Sequence, residues 1–171
     1  MKDTIIISAF PCCGKSYCYN NYKNDYVMLD SDSSQFSWVK DENGQNTKTR
    51  NPDFPNNYIK HIIENIGKAD FIFVSSHKVV RDALKENKIN HISVYPDLDC
   101  KDEYLERAKN RGSSDEFINM LSKNWEIFYN ELHNEHPWYV IKQELGKGQY
   151  LDKKMLDTLN KYNKWFKVFG T

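Results

Sequence analysis

Short apolar runs alternate with helical patterns along this chain, and that alternation narrows the possible folds more than any other feature. Residues 4–9, 26–29, 71–74, 89–95 and 138–141 are apolar runs bounded by turn signals, and helix-patterned stretches lie between them. Such an order specifies a parallel sheet with helices on both faces. Phe71-Ile72-Phe73-Val74 is apolar on both faces, which suits a central strand. Helices are expected over 15–23, 55–68, 79–87, 101–110 and 151–169. The helix after Pro55 carries Tyr58, Ile62, Ile63 and Ile66 on its apolar side and stops at Gly67. Ser113 and Glu116 have capping-box spacing ahead of a helix bearing Phe117, Leu121, Trp125, Phe128 and Leu132. Residues 33–53 are polar and aperiodic, with Gly44 and Pro52, and are expected as a loop or small insert. Neither an internal repeat nor a linker interrupts the pattern, so residues 1–171 are expected to form one domain.

Charge and cysteine content exclude several function classes. The 24 basic residues balance 24 acidic ones, so broad electrostatic coating of nucleic acid is not expected. The aromatic fraction of 14% argues for a packed core rather than disorder. Cys12, Cys13, Cys18 and Cys100 contain no C-x-x-C pair, which fits a reducing, cytoplasmic setting. The run after Lys2 is too short for a secretory leader, and no membrane span is expected. Only four of the basic residues are arginines: Arg50, Arg81, Arg107 and Arg111. In so Lys-rich a chain, each is a candidate for work that needs a planar fork, with surface placement as the alternative.

The chemistry-bearing motif is Ala9-Phe10-Pro11-Cys12-Cys13-Gly14-Lys15-Ser16, between the first strand and the first helix. It matches G-x-x-x-x-G-K-[ST], with Ala9 in place of the first glycine. Backbone N–H groups of such a loop surround a phosphate at a helix N-terminus. Lys15 would reach the β- and γ-phosphates of ATP, the Ser16 hydroxyl would bind Mg²⁺, and Tyr17 follows on the first helical turn. Helix N-terminus and Lys15 together are expected to lower the thiol pKa of Cys12 and Cys13.

With this loop the chain resembles the small P-loop kinases of the nucleoside monophosphate kinase and polynucleotide 5′-kinase type. The resemblance implies a three-layer α/β fold, a five-stranded parallel sheet in the order 2-3-1-4-5 with helices on both faces, an acceptor-binding insert at 33–68 and a lid at 101–116. A carboxylate at the end of the third strand, usual in motor ATPases, is missing, since that strand ends in Ser75-Ser76-His77. Arg107 and Arg111 share one helix face, and the resemblance makes them lid arginines acting on the transferring group. The alternative pairs Arg107 with Glu103 on a solvated face.

On the acceptor side, Arg81 and Arg50 are candidates for holding an acceptor phosphate, and Phe36 and Trp38 for stacking on a base. A small hydrophobic core beneath the insert is the alternative for the aromatics. Asp30 and Asp32 end the second strand, and either would serve as base toward a hydroxyl acceptor. Asp32 and Gln35 also have capping spacing. His133 and His136 look superficially metal-like but lack companions. The expected function is therefore an ATP- and Mg²⁺-dependent phosphotransferase, foremost a nucleoside monophosphate kinase acting on a nucleotide-like small molecule. A kinase of a hydroxyl acceptor, with nucleic acid entering only as a 5′ end, and a nucleotide sensor of negligible turnover are the alternatives.

Overall fold

The computed structural model describes residues 3–169, with side chains through residue 161. In chain order the elements are β1 (Ile5–Ala9), α1 (Lys15–Asn21), β2 (Met28–Asp30), α2 (Ser34–Ser37), β3 (Trp38–Lys40), β4 (Asn46–Arg50) and α3 (Asn56–Asn65). They continue with β5 (Phe71–Ser75), α4 (Lys78–Glu86), β6 (His91–Pro96), α5 (Lys101–Asn110), α6 (Asp115–His133), β7 (Val140–Leu145) and α7 (Lys153–Phe169). Five strands form one all-parallel sheet in the spatial order β2-β5-β1-β6-β7, and β3 with β4 forms a separate antiparallel hairpin.

Strand alternation explains the layers. Ile5, Ile7 and Ala9 of β1 join Phe71 and Phe73 of β5 in a core completed by Cys18, Tyr104, Leu121, Trp125 and Leu156 from α1, α5, α6 and α7. Ile6, Ile72 and Val74 face the other way, onto Tyr58, Ile59 and Ile62 of α3 and Val80, Ala83 and Leu84 of α4. A parallel sheet is stable only with both faces covered, and here both are. No helix among the described residues is long and apolar enough to cross a membrane.

Three local expectations are corrected. Residues 33–53 are not a plain loop but hold α2 and the β3–β4 hairpin, turning at Gly44 with φ +74°. The N-cap of α6 is Ser114, whose hydroxyl accepts from the Phe117 N–H, because α5 ends in a turn through Gly112 (φ +81°) that uses the Ser113 N–H on the Ala108 carbonyl. The last strand starts at Val140 rather than Trp138, since Tyr139 adopts φ +66° and Val140 N–H turns back to the Pro137 carbonyl.

Candidate functional site

The carboxyl ends of β1, β2 and β5 converge where parallel sheets ordinarily offer a crevice. Loop 9–16 forms its floor, and Asp30, Asp32, His77, Arg107, Arg111 and Tyr150 are among the residues around it.

The backbone of this loop is turned by its surroundings. The Cys12 carbonyl accepts from Arg107 Nη1 at 3.2 Å, and the Cys13 carbonyl from the Leu151 N–H at 2.7 Å. With these two carbonyls engaged, the N–H groups of Cys12, Gly14, Lys15 and Ser16 have no partner among the described residues. Consecutive unpaired N–H groups at a turn into a helix make a concavity suited to an anion. Two positions show how tight the loop is. Gly14 sits at φ +101°, and a Cβ there would lie 3.0 Å from the Leu151 carbonyl oxygen. Cys12 takes φ +66° without being glycine, a conformation that costs an L-residue roughly 1–2 kcal/mol.

Arg107 is not a free lid residue in this state. Besides Cys12 it donates to the Gln149 carbonyl at 3.0 Å, pairs with Glu103, and lies 3.6 Å over the Tyr150 ring and 4.5 Å over the Tyr104 ring. Glu103 in turn accepts from the Gly148 N–H at 3.0 Å. Arg107 thus bolts segment 146–151 to loop 9–16, a role hidden from sequence because all its partners but Glu103 and Tyr104 are remote in the chain. Arg111, one turn on, is exposed and lines the cleft, with its Nε on the Ser113 hydroxyl at 2.8 Å and its guanidinium 5.3 Å over the Phe117 ring.

The thiol expectation is overturned. Burial raises the Cys12 thiol against the nearby Arg111 and Arg107 charges, and pushes the fully buried Cys13 up to about 12. Neither is an activated nucleophile. Phe10 is likewise core, its ring 5.7 Å from that of Trp125, so only its backbone belongs to the loop together with Ala9 and Pro11. Tyr17 is exposed and packs edge-on to Tyr22.

Lys15 Nζ lies 3.1 Å from Asp30 Oδ1, so the loop lysine and the β2 carboxylate meet. Asp32 is otherwise engaged: its two oxygens accept from the Ser34 N–H at 2.9 Å and the Ser34 hydroxyl at 2.8 Å, a local turn just ahead of α2, whose N-cap is Ser33. The Asp32–Gln35 capping box is not formed, and Gln35 instead accepts from Lys40 Nζ. Tyr58, read from sequence as an apolar helix position and as one of the insert aromatics that could stack on a base, ties the floor together. Its hydroxyl donates to the Ser31 carbonyl at 2.6 Å and accepts from the Ser75 N–H at 3.3 Å, joining the ends of β2 and β5. Desolvation at the rim, then the Arg50 and Arg81 charges, hold the His77 imidazole below its usual range.

The acceptor-side candidates divide. Arg50 is exposed on the hairpin, 4.0 Å over the Trp38 ring, and near enough for its charge to be felt at His77. Phe36 is packed against Tyr58 and His61, with centroids 5.1 and 4.8 Å away, and so belongs to the core beneath the insert. Arg81 is not brought to the cleft. It is buried, 2.9 Å from Glu135, 3.5 Å from Glu131 and donating to the Ser76 carbonyl, while Lys85 adds a second cation on Glu135. It binds α4 to the end of α6. His133 stacks on Tyr129 and His136 packs against Trp138, so the two histidines do not converge. Among the described residues no three His, Cys, Asp or Glu side chains gather as a metal site.

No protein-family model matches the chain, and no curated protein matches it. A solved structure of an uncharacterized protein from Eubacterium ventriosum aligns over 96% of this chain and 99% of its own, at 14% identity and a TM-score of 0.48.

Proposed function

We propose that this chain is an ATP-dependent phosphotransferase of the small P-loop kinase type, and that its acceptor group is a hydroxyl. The observation that carries the reading is loop 9–16 itself: its Cys12 and Cys13 carbonyls are held by Arg107 and Leu151, its N–H groups at Cys12, Gly14, Lys15 and Ser16 have no partner among the described residues, and Lys15 stands in the same loop. A triphosphate would be cradled by those N–H groups, with Lys15 and Arg111 supplying positive charge to the transferring group. Counting only the strands of the parallel sheet, their order runs 2-3-1-4-5, which supports the same resemblance.

The residues fit Mg²⁺. Ser16 is exposed with a hydroxyl that has no hydrogen-bond partner among the described residues, and Mg²⁺ takes few protein oxygens while keeping several waters. Bound there it would neutralise charge on the β- and γ-phosphates.

Two observations favour the hydroxyl acceptor. Arg81, the inner candidate for an acceptor phosphate, is committed to Glu135 and Glu131. The carboxylate of Asp30 stands at the cleft where an attacking hydroxyl needs a base. The second reading, a nucleoside monophosphate kinase, draws on Arg50, which remains accessible on the acceptor side. Labelled ATP offered with nucleosides, 5′-hydroxyl oligonucleotides, small polyols and nucleoside monophosphates tests both. Label is expected in a hydroxyl compound. Label confined to monophosphates would favour the second reading, and label in none would leave a nucleotide sensor.

A further inference from the structure

Lys15 and Asp30 belong to the two halves of the proposed reaction. Lys15 serves the phosphate donor, and Asp30 serves the acceptor. Yet they stand 3.1 Å apart, each about a quarter exposed. Asp30 Oδ1 is itself shut off from solvent and has no properly directed hydrogen bond among the described residues, so its contact with Lys15 is a charge pairing rather than a fixed bond. Such a pairing is broken more readily than a bidentate one. A triphosphate in the cradle of loop 9–16 would compete with Asp30 for the Lys15 ammonium.

We propose that Lys15 masks Asp30 until ATP arrives, so that donor binding unmasks the base for the acceptor. The inference rests on the phosphotransferase reading with a hydroxyl acceptor. Without nucleotide the ammonium occupies the carboxylate. With ATP in the cradle the ammonium is drawn to the phosphates, and Asp30 becomes available to the acceptor. The acceptor hydroxyl then gives its proton to Asp30 as its oxygen bonds to the γ-phosphorus. The bond from that phosphorus to the β,γ-bridging oxygen breaks, and ADP leaves with the electron pair. An acceptor that enters first meets a neutralised carboxylate, so the arrangement imposes an order in which the donor precedes catalysis of proton removal. Linkage makes the competition reciprocal: Asp30 must weaken the nucleotide's hold on Lys15 by as much as the nucleotide weakens the pair.

The test is calorimetric binding of a non-hydrolysable Mg-ATP analogue, with no acceptor present and no turnover. Asp30→Asn is expected to bind the analogue roughly three- to fivefold tighter than wild type, the scale of a partly exposed ion pair. Asp32→Asn removes the same charge nearby without touching Lys15 and is expected to bind as wild type does. In a Lys15→Met background the Asp30→Asn gain should vanish. Unchanged or weaker binding by Asp30→Asn overturns the proposal, the weaker case assigning Asp30 to Mg²⁺ instead. Equal tightening by Asp32→Asn also overturns it, as a plain charge effect. Asp30→Ser provides the same comparison if the asparagine variant folds poorly. Failure of the wild type to bind the analogue would remove the phosphotransferase reading itself, an outcome separate from a bound analogue that ignores Asp30.

Discussion

The two sides of the cleft are built on opposite principles. On the donor side, loop 9–16 is held by segment 146–151, by Arg107 and by a glycine that fits against Leu151 backbone. On the acceptor side, the β3–β4 hairpin is largely exposed, its Arg50 rests on the Trp38 ring, and α2 is a single turn. A rigid anion cradle needs no reorganisation when charge develops on the transferring group, which is where preorganised dipoles matter most. An acceptor site made of an exposed hairpin can adapt or close at low energetic cost. Under the proposed function, the contrast would make the loop side the fixed reference of the molecule and give acceptor choice to the hairpin.

The largest expected effect breaks the donor side chemically. Lys15→Ala removes the only cationic side chain of the cradle and is expected to lower turnover by roughly 10²–10³ or more, while circular dichroism and melting stay close to wild type. Near-normal turnover in this variant would take the donor role away from loop 9–16.

A second test sharpens the comparison through two arginines. Arg81 and Glu135 side chains are 3% and 2% exposed, so Arg81→Ala leaves a buried carboxylate with only Lys85. The expected loss is about 3–5 kcal/mol in urea unfolding, with the acceptor KM unchanged where the protein remains folded. Arg50→Ala should do the reverse, leaving stability within about 0.5 kcal/mol and altering the acceptor KM alone. A raised acceptor KM in Arg81→Ala at full folding would return that residue to the site.

These arginines also show how far sequence carried. The alternating elements, both core faces and the strand–loop–helix were legible, because hydrophobic period and the Gly14-Lys15-Ser16 signature are local. Arg107 and Arg111 were legible as residues but not as a divided pair, since Arg107 meets carbonyls 95 and 42 positions away. Arg81 followed the rule that groups after a parallel strand face the crevice, and it failed because Glu131 and Glu135 approach from α6. The hairpin was missed because β3 is only three residues long and β4, Asn46–Arg50, is polar throughout, so neither shows the alternation that marks a half-buried strand.

A smaller effect should come from pH. His91 is buried at the start of β6, and desolvation holds its imidazole below the ordinary 6.5. The unfolded chain therefore binds a proton at a higher pH than the folded one. Its contribution is fully present above about pH 6.5 and is lost as pH falls from there through the lower folded value. Urea unfolding at several pH values should show stability declining below this point in wild type, with a flatter profile in His91→Phe. An unchanged slope in the variant would assign the decline to other groups.

The smallest effect falls on the strain in the cradle. Cys12 holds φ +66°, where an L-residue pays about 1–2 kcal/mol and glycine does not. Glycine also gains freedom in the unfolded chain, which offsets roughly 0.5–1 kcal/mol of that relief. Cys12 is half-buried, so part of its packing is lost as well. Cys12→Gly should therefore change stability by no more than about 1 kcal/mol, toward stabilisation, and leave nucleotide binding intact because the Cys12 carbonyl still faces Arg107. Cys12→Ala keeps the strain and loses the thiol, so comparison of the two variants isolates the backbone term. If Cys12→Gly bound the ATP analogue more weakly while Cys12→Ala bound it normally, the strained conformation would be a device that keeps the cradle's N–H groups unpaired. The rigidity of the donor side would then depend on this residue as much as on Arg107 and Leu151.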